Sequence, residues 1–154
     1  MLSRDFKPDL LSVLYNSFLK EGYSFITFEA YLQHKNPRKF VILRHDVEKY
    51  YQNALNFAEI QHEMGIQGTY FFRMSDHYDE DVIRKIAELG HETGYHYDDL
   101  SKCNGNYKKA IQRFERNINK LRSITEIKTI SMDGSPESKY DNRRLWEKYD
   151  YSDF

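Results

Sequence analysis

Apolar residues run in two periods along this chain. The segments "KFVILRHD" (39–46) and "GTYFFR" (68–73) are short, apolar and rich in β-formers, as buried strands are. Two weaker strand patterns follow, "ETGYHY" (92–97) and "IKTISMDGSP" (127–136). Between them the period lengthens to that of a helix. "YQNALNFAEIQHEMG" sets Ala54, Leu55 and Ala58 on one face, and "EDVIRKIAELG" does so with Val82, Ile83, Ile86 and Ala87. "YKKAIQRFERNINKLR" repeats the stripe with Ala110, Ile111, Phe114, Ile118 and Leu121. Gly65 and Gly90 are expected helix stops. Upstream, "PDLLSVLYNSFLKEG" and "TFEAYLQH" predict two short helices, and "DNRRLWEKY" predicts a last helical piece. The order is helix, helix, then strand–helix four times, which implies an α/β fold with parallel strands and right-handed crossovers. Periodicity does not separate a doubly wound sheet from a (β/α) barrel. About four strands are too few to close a barrel, which usually takes about eight.

The size changes little in this picture. With 154 residues the chain makes one domain, a helical lead-in over 1–37 and a β/α core over 38–154. A net charge of −1 without a basic block argues against nucleic acid and anionic membrane surfaces as partners. The single Cys103 excludes an internal disulfide, and no segment approaches the ~20 apolar residues of a membrane span. The N-terminus alternates charged and apolar residues, unlike a signal peptide, so a cytoplasmic location is expected.

Chemistry collects where parallel strands end. The strand ends "RHDVE", "FFRMSD", "GYHYDDL" and "MDGSP" would bring Arg44, His45, Asp46, Glu48, Arg73, His96, Asp98, Asp99 and Asp133 to one rim. Asp46 and His96 are the natural pair for a divalent ion, and Asp133 is the candidate third ligand. Zinc is the first choice, with manganese, cobalt, nickel or iron as alternatives. His45 is a candidate general base beside Asp46, provided that the strand end frays enough for both to reach the pocket. Arg44, Arg73, Tyr97 and Asp98 are candidate substrate contacts. The bland alternatives are that "DGSP" is turn chemistry and that Asp98 and Asp99 cap a turn. His91 reads as a structural loop residue, and His34, His62 and His77 as surface residues.

At these strand ends the sequence resembles the polysaccharide deacetylases of the NodB homology group, in the branch that reads Arg-His-Asp-Val at its first motif. The matching pieces are "VILRHDVE", "NALNFAEI", "GIQGTYFFR", "IAELGHETGYHYDDL", "AIQRFERNINKLR" and "DGSPESKYDNRRLWEKYDY". They cover the chain from about residue 38 to its end. The resemblance implies a partial, distorted (β/α) barrel with a divalent metal at the top. It implies hydrolysis of an N-acetyl group on an amino sugar or glycan by metal-activated water. Asp46 falls on the family's metal aspartate, His96 on its first metal histidine, and His45 where its catalytic aspartate usually stands. Leu100 stands where a second metal histidine is usual, and Asp133 replaces an expected histidine. The family's pattern continues through further strands, so a truncated barrel is expected, with edges that favour self-association. Leu100 and Asp133 also admit an alternative, an inactive sugar-binding or assembly module of the same fold.

Overall fold

The computed structural model describes residues 8–34 and 37–154; the alternating-charge N-terminus, residues 1–7, lies outside them. Helix α1 (Pro8–Lys20) leads to a short strand β1 (Ser24–Ile26) and helix α2 (Phe28–Leu32). Thr27 caps α2, its side chain accepting from Ala30 N at 3.1 Å. The apolar run at 39–46, expected as one strand, divides at Leu43 into β2 (Phe40–Ile42) and β3 (Arg44–Val47). β2 pairs with β1 in a two-stranded parallel sheet, while β3 pairs with β4 in the main sheet. β1 lay outside the expected strand set, because three residues are too few to show a period.

The remaining elements alternate: α3 (Tyr51–Glu63), β4 (Thr69–Phe72), α4 (Glu80–Glu88), β5 (Glu92–Tyr97), the short α5 (Asp99–Lys102), α6 (Tyr107–Arg122) and β6 (Thr129–Met132). Gly65 and Gly90, at φ +66° and +87°, take the left-handed conformation that ends α3 and α4. The segment expected to be a final helix forms a 3-10 helix over Asn142–Glu147, followed by another at Tyr151–Asp153. The main sheet is four-stranded and wholly parallel in the order β3-β4-β5-β6, so the chain is α/β as its alternation implied. Strand order follows chain order, without the reversal that marks a doubly wound sheet.

Strand side chains alternate between the two faces. One face carries Val47, Tyr70, Phe72, Tyr95 and Tyr97, all buried against the apolar stripes of α3, α4 and α6. Phe114 of α6 is fully buried at the centre of the aromatic packing, its ring against Tyr95, Tyr97, Trp146 and Phe154. The opposite face carries Arg44, Asp46, Phe71, Gly94 and His96. At its N-terminal end α2 closes it: Phe28 packs edge-on against Phe71, and the Phe28 and Glu29 amides donate to Thr69 Oγ1 and Glu92 Oε2. Its C-terminal end is left for polar side chains.

Candidate metal centre

Register decides which residues meet. Asp46 on β3 lies level with Phe71 and Gly94, and Val47, Phe72, Tyr95 and Ile130 form the next row. One step on, Glu48, Arg73 and His96 therefore share the face of Asp46, and the ladder extends to Asp133, whose amide donates to Tyr97 O at 2.9 Å. Gly94 is required at its place, since a Cβ there would lie 2.5 Å from Phe71 Cδ1 and Cε1. Phe71 in turn supports the Arg44 guanidinium, 5.3 Å from its ring centre.

His96 is the centre of the group. Its side chain is buried, and Nδ1 lies 3.3 Å from Ser131 O, the geometry of an Nδ1–H donating to a carbonyl. That tautomer, assigned from the hydrogen bond, leaves the Nε2 lone pair pointing to 3.9 Å from Asp46 Oδ2 and 3.8 Å from Asp133 Oδ2. A lone pair facing two carboxylate oxygens is repulsive unless positive charge lies between them. Donor atoms of Glu48, His96 and Asp133 all lie within 4.8 Å of one another. Asp133 has two jobs: Oδ1 accepts from Ser135 N at 2.7 Å and from Ser135 Oγ, while Oδ2 accepts from Arg73 Nη1 at 2.8 Å. "DGSP" is thus turn chemistry, and its aspartate still faces His96. Burial works to raise the Asp133 carboxyl, but the Ser135 hydrogen bonds and the Arg73 charge outweigh it and hold it below the usual range. Asn142 braces this turn, its Nδ2 donating to Asp133 O at 2.9 Å while its Oδ1 accepts from Ser101 N at 2.8 Å.

Two arginines enclose the carboxylates. Arg44 binds Asp46 in a fork, at 2.8 and 3.0 Å, and Arg73 bridges Asp133 and Glu48. A cleft of about 650 Å³, bordered by Glu48, Arg73, Asp133 and Ser135, opens beside them. No family model matches this chain, and no curated protein or solved structure matches it either.

The other sequence candidates lie elsewhere. His45 does not turn to this face, because β3 stays regular through Val47. Its ring stacks on Tyr70 at 4.4 Å, and its Nε2 lies 2.8 Å from Gln61 Nε2. Burial, with the nearby His91 and against the pull of Asp46, lowers its pKa to about 4. Tyr97 is buried in the helix-side core, where its hydroxyl accepts from Trp146 Nε1. Asp98 is buried too, its Oδ1 accepting from Arg113 Nη1 at 2.7 Å. The same guanidinium nitrogen reaches Asp99 Oδ1 at 2.6 Å, and Asp99 also accepts from Tyr95 OH. Leu100 fills the core at 2 % exposure. His91 is held between Gly68 N and Ala58 O. Glu48 was placed on the rim but not among the ligand candidates; its signal was the two-residue step from Asp46, which puts both on one face.

Proposed function

We propose that this chain is a metal-dependent hydrolase of the polysaccharide-deacetylase type, removing the N-acetyl group of an amino sugar. The observation that carries the reading is the His96 imidazole, fixed by a backbone carbonyl with Nε2 toward the carboxylates of Asp46 and Asp133. A histidine anchored through its other ring nitrogen is the usual arrangement of a metal ligand. The donor set, one imidazole and two or three carboxylates, suits zinc and its neighbours. Ligand atoms around a tetrahedral ion with bonds of ~2.1 Å lie ~3.4 Å apart, so the 3.8 and 3.9 Å separations need an inward shift of about half an ångström. In this reading Asp46, His96 and Asp133 hold the ion.

A divalent ion there would supply the charge that polarises an amide carbonyl and makes water more acidic. Arg44 orients the Asp46 carboxylate, and Arg73 does the same for Asp133 while stabilising negative charge that develops nearby. Glu48, which lines the cleft and at 43 % is the most exposed carboxylate of the group, takes the proton-accepting role expected of His45. Consecutive strand order, with the crossover helices on one face, supports the partial-barrel reading, in which the Asp46 and His96 face is the lumen. The inactive-module reading has an observation of its own, since Arg44 and Arg73 already pair with all three carboxylates without an ion and leave one negative charge in excess.

Metal content separates the two. Protein purified without chelator and then supplied with zinc should hold about one ion per chain, and Asp46→Ala and His96→Ala should each lose it. The metal-loaded protein should release acetate from N-acetylglucosamine oligomers. A folded protein that binds no zinc saturably, or variants that bind it with unchanged affinity, would sink the proposal.

A further inference from the structure

A second, larger cleft of about 920 Å³ adjoins the first and shares Glu48, Lys49, Arg73 and Lys102 with it. Its charge is uneven. Six cations line it, Lys49, Arg73, Lys102, Arg113, Arg116 and Lys120, against the three anions Glu48, Asp76 and Asp98. Arg73 and Arg113 are already engaged by carboxylates. Lys49, Lys102 and Arg116 make no ion pair among the described residues, and Lys120 lies over the Tyr78 ring. Arg113, Arg116 and Lys120 stand at i, i+3 and i+7 of α6, so one stripe of that helix presents all three to the cleft.

Two further features point to a ligand. The first turn of α3 borders the cleft through Tyr50 and Tyr51; it carries no acidic residue and no side-chain cap, so no side chain occupies the Tyr51 and Gln52 amides, while the Asn53 amide donates to Tyr50 O. Asp98, 1 % exposed and also lining the cleft, keeps Oδ2 with no hydrogen-bond partner among the described residues. A buried carboxylate oxygen without a donor is costly, and a ligand hydroxyl is the kind of group that relieves it. The first set of groups needs an anion and the second needs a hydroxyl.

We propose that this cleft binds a sugar phosphate, its phosphate held by Lys49, Lys102, Arg116 and the α3 amides and a sugar hydroxyl directed to Asp98. The volume is that of a small-ligand site. This rests on the hydrolase reading only for placing the sugar toward Glu48 and Asp133; the phosphate site stands without it.

The test is calorimetric titration near physiological ionic strength with N-acetylglucosamine 1-phosphate, with uncharged N-acetylglucosamine for comparison. The ester should bind saturably, at least about tenfold more tightly than the uncharged sugar, since hydrogen bonds to charged groups are the stronger class. Lys102→Gln combined with Arg116→Gln, both exposed residues, should remove that advantage. His96→Ala should retain it, which separates this site from the metal centre. Equal binding of the two sugars, or an ester affinity untouched by the double variant, would overturn the proposal while leaving the metal reading intact.

Discussion

Gly94→Ala tests how tightly the sheet is packed beneath the candidate site. The added Cβ would lie 2.5 Å from two ring carbons of Phe71 and 3.0 Å from Thr129 O, the first far inside van der Waals contact. Phe71 is 1 % exposed, and Phe28 and Arg44 lie against its ring, so it has little room to retreat. Overpacking of this kind costs about 1–3 kcal/mol. Against it, alanine for glycine restricts the unfolded chain and stabilises by about 0.4–1 kcal/mol. A net loss of about 1–2 kcal/mol is expected, read as a lower urea midpoint at constant slope with Trp146 fluorescence as the probe. Phe71→Leu removes the offending ring atoms, so the double variant should be more stable than additivity implies by at least about 0.5 kcal/mol. A Gly94→Ala protein as stable as the parent, or strict additivity, would refute the proposed contact. Because Phe71 supports Arg44, and Arg44 holds Asp46, the same substitution should also weaken zinc binding.

The burial of His45 sets a pH dependence. Its pKa is about 4 in the folded chain against an ordinary 6.5, so the unfolded chain binds more protons between those values and stability falls as pH drops through them. The full effect is worth about 3 kcal/mol. Asp99, raised to about 6 mainly by burial, works in the opposite sense, so the check is the wild type minus His45→Asn in urea midpoint from pH 7 to pH 4. A constant difference would contradict the assignment. Phe114→Ala empties the middle of the aromatic cluster and should cost about 3–5 kcal/mol in the same assay; a loss below about 1 kcal/mol would mean that the cluster repacks.

Much of the fold was legible in the chain because long amphipathic periods leave few choices. The stripes of α3, α4 and α6, and the apolar run of β4, each demand a partner face. The failures fell where elements are short. β1 has three residues, and the strand at 39–46 splits at Leu43 because β2 and β3 serve different sheets, a tertiary choice that local pattern cannot record.

The site divides along the same line. Two-residue alternation alone determined that Asp46 and Glu48 share a face of their strand and that His96 opposes Tyr95 and Tyr97, since the pleat of a strand is a local property. It also forbade His45 from joining Asp46 unless the strand frayed, and the strand does not fray. Only tertiary structure decided which strands stand side by side and in what register, and so which charges meet. That put Arg73 between Glu48 and Asp133, aimed His96 through Ser131 O, and paired Asp98 with Arg113. Such pairings join residues as much as 60 positions apart, and their geometry depends on ångström-scale placement that no spacing in the sequence encodes.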